Sequence, residues 1–328
     1  MGYNKENYKR IREDYATKTF RAQGEAEIRR EELYAAIPAL RELDGRLSSF
    51  GLRIMQSALQ SEDTAAQIEA LHRENEEIRR MRGEMLRKNG FPADYDTPKY
   101  ECEDCKDTGY VGIKMCSCMR RSLIAAGMES SGLSALMQTQ SFENFSTDYY
   151  RADAKVHQTM CELFQRVRAY ANGFSMEDGN KPRSLLFLGG TGLGKTHLST
   201  AVARTVIERG YDVFYNSAVG MISDFEYRRF GNGLVQNEGD DTARYTECDL
   251  LILDDLGTEV VNQFTLSCLY HVINTRLNLK KPTVISTNLL SADLRKTYGD
   301  RIASRLLGEY LVHPFYGVDV RKQRLMQQ

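Results

Sequence analysis

Eight residues limit what this chain can fold into more than any others: Gly189-Gly190-Thr191-Gly192-Leu193-Gly194-Lys195-Thr196, which satisfy the spacing G-x-x-x-x-G-K-[ST]. The apolar run Ser184-Leu185-Leu186-Phe187-Leu188 precedes them, and His197-Leu198-Ser199-Thr200-Ala201-Val202-Ala203 follows with a helical character. The segment therefore reads as strand, loop, helix. Glycine lets a backbone fold tightly enough for successive N–H groups to face one anion. Lys195 would reach the β- and γ-phosphates of a nucleotide, and the Thr196 hydroxyl would ligate Mg²⁺. The helix that begins here, with His197 in its first turn, adds a positive dipole end. A glycine-rich structural turn is the plain alternative.

Two further apolar runs suit the same architecture. Leu250-Leu251-Ile252-Leu253 is continuous, as a strand covered on both faces should be, and it ends in Asp254-Asp255. The carboxyl end of such a strand is where an α/β sheet presents its ligand groups. Asp254 is placed to hold Mg²⁺ through water, and Asp255, one residue nearer solvent, to orient an attacking water. Alone, the pair would be an ordinary acidic strand end. Pro282-Thr283-Val284-Ile285-Ser286-Thr287-Asn288 is the third run. If its strand lies between the other two, Asn288 faces the γ-phosphate. Helical and strand-like stretches alternate from residue 183 to the end, the pattern of an α/β fold with a parallel sheet.

The rest of the chain is of a different kind. To about Lys88 it is charge-rich, with basic and acidic residues nearly balanced, and it lacks strand-like alternation. Ile68, Leu71, Ile78 and Met85 fall at heptad spacing, with Asn75 and Arg82 in the remaining seam positions. That predicts a short coiled coil or a helical hairpin, either packed on itself or offering a partner-binding face. Asn89-Gly90 and Pro92 supply the stop. Four of the seven cysteines then crowd together as Cys102-x2-Cys105 and Cys116-x-Cys118, with Gly109 and Gly112 between the pairs. Four thiolates at this spacing suit a closed, structural Zn²⁺ site. Redox-active or merely buried thiols and an iron–sulfur cluster are the other possibilities. Cys161, Cys248 and Cys268 are scattered, so the cysteines do not form a disulfide framework.

These features divide the chain into a helical region over 1–92, a four-cysteine module over 93–135, a connector over 136–182 and an α/β core over 183–328. Net charge is −1, from 44 Lys and Arg against 45 Asp and Glu, so any nucleic-acid contact must come from a local patch. No apolar run approaches ~18 residues, so no membrane span is expected. The first residues lack an apolar signal segment, and Gly2 lacks the context for myristoylation, so a reduced, cytoplasmic setting is the expectation. Asp224-Phe225-Glu226-Tyr227-Arg228-Arg229-Phe230-Gly231 interleaves aromatics with arginines. Tyr227, Arg228, Arg229 and Phe230 could stack bases and neutralise phosphates of single-stranded DNA. The same residues would equally make a helix with one core face and solvated arginines.

At residues 140–328 the sequence resembles the AAA+ ATPases, and within them bacterial replicative-helicase loaders of the DnaC/DnaI type. Gly189 to Thr196 looks like Walker A, Leu250 to Asp255 like Walker B, and Asn288 like sensor 1. Asp254-Asp255-Leu256-Gly257-Thr258-Glu259 is especially like these loaders, which often carry Asp where other AAA+ proteins have Glu. Asp300-Arg301-Ile302-Ala303-Ser304-Arg305-Leu306 resembles the segment whose second arginine enters a neighbouring subunit's ATP site. Gly317-Val318-Asp319-Val320-Arg321 looks like sensor 2.

The resemblance implies a five-stranded parallel sheet with a reduced lid, ATP and Mg²⁺ at the loop, Arg305 as an arginine finger and Arg321 on the nucleotide in cis. It also implies self-association through the ATP site, weak hydrolysis by the monomer, and a replicative ring helicase and single-stranded DNA as partners. A transposition helper ATPase of the IstB type shares this core and is one alternative. A nucleotide-dependent interaction protein with little hydrolysis is another.

Overall fold

The structure, a computed structural model, describes residues 3–60, 64–177, 183–230 and 241–326. These fall into two compact units, one of residues 12–118 and one of residues 1–11 with 119–328.

The N-terminal unit is built on three long helices, α1 (Lys5–Ala36), α2 (Ala39–Gln60) and α3 (Thr64–Lys88). Pro38, which has no N–H to donate, separates the first two. α2 and α3 run antiparallel: Arg46 and Arg53 both reach Glu74, at 2.7 and 2.8 Å, while Arg82 reaches back to Asp44 at 2.6 Å. The heptad pattern is thus satisfied within one chain, by a hairpin. Ile78 and Leu86 are buried, and Leu86 closes a small core with Leu33, Ile37 and Leu40. Arg82, a polar seam residue, bridges Asp44 and Asp96 at 2.6 Å each. Gly90 takes φ +80°, and the Phe91 N–H donates to the Leu86 carbonyl at 3.0 Å, ending α3 where the sequence predicts. A two-stranded antiparallel hairpin follows, β1 (Tyr110–Val111) and β2 (Lys114–Met115).

The second unit begins with α4 (Ser117–Ser130), α5 (Ser134–Met137), a 3₁₀ turn over Thr147–Tyr150, and α6 (Ala154–Asn172). Strands and helices then alternate: β3 (Leu185–Leu188), α7 (Lys195–Glu208), β4 (Val213–Ser217), α8 (Ala218–Phe230), α9 (Asp241–Glu247), β5 (Leu250–Leu256), α10 (Gln263–Asn278), β6 (Thr283–Thr287), α11 (Ser291–Gly308), β7 (Leu311–Pro314) and α12 (Val320–Met326). The five strands β3 to β7 form one parallel sheet in the order β4-β5-β6-β3-β7. β6 therefore lies between β3 and β5, the arrangement that brings Asn288 to the loop and the acids.

Helices cover both faces of the sheet, so β3 and β6 are buried along their whole length and β5 at every residue but Asp255. One core cluster holds Leu185, Phe187, Leu250, Ile252 and Val284; the other holds Leu186, Leu251, Leu253 and Ile285. At the entry ends of β5 and β6, the buried Arg276 of α10 donates to the carbonyls of Tyr245, Cys248, Asp249 and Pro282 and to the Thr283 hydroxyl, at 2.7–3.2 Å. Among the described residues no helix is long and apolar enough to cross a membrane.

Candidate functional site

The glycine-rich loop leaves β3 at Leu188 and enters α7 at Lys195. Gly192 and Gly194 take φ of +71° and +84°, the left-handed region that a Cβ disfavours. A side chain at Gly192 would also displace Asp319, since a Cβ there would lie 1.9 Å from Asp319 Oδ1. The Val320 N–H donates to the Gly192 carbonyl at 3.0 Å and the Tyr150 hydroxyl to the Leu193 carbonyl at 2.9 Å, so the loop is held from both sides. Lys195 is almost fully buried, and its Nζ donates to the carbonyls of Gly189 and Gly190 at 2.6 Å. Burial pushes its pKa down, while the charges of Asp255 and Asp254 pull it up. A buried ammonium at the N-terminus of a helix is a seat for a polyanion.

The two acids are separated by a bulge in β5, where the register against β6 shifts between Leu253 and Leu256. Asp255 sits in the bulge with φ +53°, uncommon for a residue with a side chain. Its carboxylate reaches the cavity, whereas Asp254 is buried beneath. Ser286 of β6 ties the two acids together: its hydroxyl accepts from the Asp255 N–H at 3.0 Å and donates to Asp254. The Tyr215 hydroxyl donates to the other Asp254 oxygen at 3.1 Å. Burial, then the neighbouring Asp254 charge, raises the pKa of Asp255, with Lys195 and Arg321 opposing.

These groups line one cavity of about 340 Å³. Thr191, Gly192, Leu193, Gly194, Lys195, Thr196, His197, Asp255, Asn288 and Arg321 all border it. Gly189 and Gly190 contribute their carbonyls to Lys195, and Asp254 backs Asp255. Arg305 is not in this cavity; it lies on α11 against Tyr270 and Asn274 of α10. Sequence reasoning missed one wall, the segment Asn144–Tyr150. Phe145 stacks on Phe164 at 5.5 Å and meets the edge of His197 at 5.2 Å, while His197 Nε2 donates to the Ser141 carbonyl at 2.8 Å. The density of aromatics at Phe142, Phe145, Tyr149 and Tyr150 was the available signal.

In the N-terminal unit the sulfurs of Cys102, Cys105, Cys116 and Cys118 lie within 4.8 Å of one another. The Cys102–Cys116 and Cys105–Cys118 pairs are 3.8 and 3.5 Å apart. A tetrahedron of sulfurs about 2.3 Å from zinc has edges of about 3.8 Å, so the donor set fits. The knuckle is prepared by backbone bonds: Asp107, itself at φ +57°, accepts from the N–H groups of Glu101 and Cys102 at 2.8 Å. The Cys118 N–H draws the Cys116 thiol down to about 7, whereas burial drives Cys105 up. These four residues could hold a metal ion.

The family model described as IstB-like ATP binding protein matches residues 162–327, half of the chain. The chain belongs to that family. The IstB-like domain thus takes in β3 to α12 and the cavity residues from Thr191 to Arg321, but not Leu136, Gln140 or the Asn144–Tyr150 wall. Among curated relatives, the phage-like element PBSX protein XkdC of Bacillus subtilis (strain 168) is 27% identical over 254 residues, covering 72% of this chain and 90% of that protein. The replicative helicase loader DnaC of Escherichia coli (strain K12) is 27% identical over 178 residues, covering 54% of this chain and 66% of the loader, just under two thirds of its length. A crystal structure of the DnaC helicase loader is similar at a TM-score of 0.46 and 20% identity, covering 56% of this chain and 99% of that one.

Within the IstB-like domain, the arginine–aromatic segment forms the end of α8. Phe225 packs against the core and stacks obliquely on Tyr245, while Tyr227 is 65% exposed. Arg228 bonds the Thr242 hydroxyl, and Arg229 lies over the Phe264 ring at 5.2 Å. The side chain of Phe230 and all of Gly231 lie outside the described residues. One face of this helix is therefore core, as one of the two sequence readings expects, and one aromatic remains on the surface.

Proposed function

We propose that this chain is an AAA+ ATPase that loads a replicative ring helicase onto DNA in the cytoplasm. The observation that carries the proposal is the convergence of Lys195, Asp255, Asn288 and Arg321 on one cavity, in a chain similar to the replicative helicase loader DnaC. Residues 1–92 are the helical partner-binding region, 93–135 a module closed by Zn²⁺ on the four cysteines, 136–182 the connector and start of the AAA+ domain, and 183–328 the ATPase core.

In this reading ATP lies with its phosphates on residues 189–196. Lys195 exchanges the two loop carbonyls for β- and γ-phosphate oxygens. Thr196 and, through water, Asp254 hold Mg²⁺. The left-handed backbone of Asp255 presents its carboxylate to the attacking water, and Asn288 fixes that water against the γ-phosphate. Asp255 is one methylene shorter than glutamate, which suits a slow ATPase. Arg321 contacts the nucleotide in cis. Arg305 serves the site of a second copy, which makes hydrolysis depend on assembly. Tyr227, Arg228, Arg229 and Phe230 contact single-stranded DNA, and the nucleotide state sets the grip on helicase and DNA.

A transposition helper is the second reading, favoured by the IstB-like match itself. The test uses the full-length chain with a purified replicative helicase and a forked DNA coated with single-strand-binding protein. Unwinding that requires this chain and ATP, and a helicase complex on size exclusion, is the expected result. No complex, together with stimulated strand transfer by a transposase, would replace the loader with the helper.

A further inference from the structure

Arg305 is held in an unusual way for a surface-facing arginine. Its Nε donates to Asn274 Oδ1, its Nη2 to the Tyr270 hydroxyl and its Nη1 to the Arg301 carbonyl, each at 3.0 Å. The guanidinium also lies over the Tyr270 ring, 4.7 Å from its centroid. Tyr270 and Asn274 are four residues apart on α10, so one helix face supplies both supports. Both are half-buried, and Tyr270 packs against the core, so the supports are themselves fixed.

Every one of these acceptors is neutral. No carboxylate pairs with Arg305 among the described residues, so its charge is not cancelled. A guanidinium has five N–H donors, and three are engaged. One N–H remains on each terminal nitrogen, enough for a phosphate oxygen or a pair of them. Arg305 does not border the cavity of its own chain, so that phosphate must be elsewhere.

We propose that Tyr270 and Asn274 are positioning residues that hold Arg305 fixed and uncompensated for the nucleotide of a second copy of this chain. The proposal rests on the arginine-finger reading above. A long side chain already fixed in its working rotamer has little conformational freedom left to lose when it meets the phosphate.

The test is steady-state ATP hydrolysis by full-length protein at concentrations where it self-associates. Tyr270→Ala and Asn274→Ala should each lower kcat, on the order of tenfold to a hundredfold, with the KM for ATP unchanged, because the contact acts on the transition state. Tyr270→Phe keeps the ring and loses one hydrogen bond, so it should show a smaller fall in the same direction and guards against simple misfolding. The decisive readout is mixing with Lys195→Ala, which has a disabled loop but an intact Arg305. Hydrolysis per Tyr270→Ala copy should rise when Lys195→Ala copies are added, since they lend a well-held finger. If Arg305→Ala is rescued in such mixtures and Tyr270→Ala is not, the positioning role is wrong while the finger stands. If Arg305→Ala hydrolyses normally, the finger reading fails and this proposal with it.

Discussion

The two units of this chain are held together by different physics. In residues 119–328 a parallel sheet is covered on both faces, and buried Leu, Ile, Val and Phe fill two core clusters. In residues 12–118 the apolar core around Leu33, Leu40 and Leu86 is small; ion pairs such as Arg82 with Asp44 and Asp96, and four clustered sulfurs, take up the task. Apolar burial is non-directional and tolerant of pH and chelators, whereas charge pairs and metal ligands are neither. The nucleotide cavity stands on the first kind of foundation. The proposed partner-binding region stands on the second, so the two should fail under different insults.

The largest separation should come from stripping the zinc proposed for the four cysteines. With a strong chelator at neutral pH, amides of residues 12–118 should lose hydrogen-exchange protection, since a structural zinc site contributes on the order of 10 kcal/mol to folding. Amides of β3, β5 and β6 should stay protected. Equal protection in both units after the metal has gone would erase the contrast.

Lys195→Ala should act the other way, costing hydrolysis on the order of 10²–10³-fold while leaving the N-terminal unit unchanged. Steady-state ATP hydrolysis and hydrogen exchange over residues 12–118 check the two halves of that statement.

Smaller again is Arg82→Ala, which leaves Asp44 without a cationic partner among the described residues and the buried Asp96 with only the longer 3.5 Å pairing to Arg30. It should destabilise the N-terminal unit by about 3 kcal/mol in urea unfolding. Adding Asp96→Asn should recover part of that loss.

The smallest effect is on pH. Asp255 is raised in the folded protein, so the folded state holds its proton more tightly than the unfolded one. Its contribution to stability therefore falls as pH rises between the ordinary aspartate value and the raised one. Hydrolysis, in which the proposed role of Asp255 requires the carboxylate, should rise over the same interval. An Asp255→Asn variant should flatten both profiles; unchanged profiles would remove Asp255 from the titration.

Whatever is local in sequence was legible in advance. The glycine loop, the continuous apolar runs of β3, β5 and β6, and the cysteine spacing each declare themselves within a few residues. β4 and β7 escape such a reading because neither has the pattern of a buried strand. β4 ends in the half-buried Tyr215-Asn216-Ser217, and β7 is an exposed edge ending in Pro314. The heptads of α3 fixed a seam without identifying what fills it, since a second chain and a neighbouring helix demand the same spacing. The Ser286 and Tyr215 supports of Asp254, the aromatic wall at Phe145 and the Tyr270–Asn274 hold on Arg305 are assembled across 19 to 39 positions of sequence. Only the folded chain brings them together.

Arg276 has a consequence for how this fold can diverge. Four of its six acceptors are main-chain carbonyls, of Tyr245, Cys248, Asp249 and Pro282, which every amino acid supplies; the others are the Thr283 hydroxyl and the Cys248 sulfur. The clamp reads the path of the chain and not the identity of its residues. Sequence can drift at those four positions without loosening it, while the arginine itself has no substitute. A lysine offers a single point of attachment where the guanidinium offers a planar fan of donors.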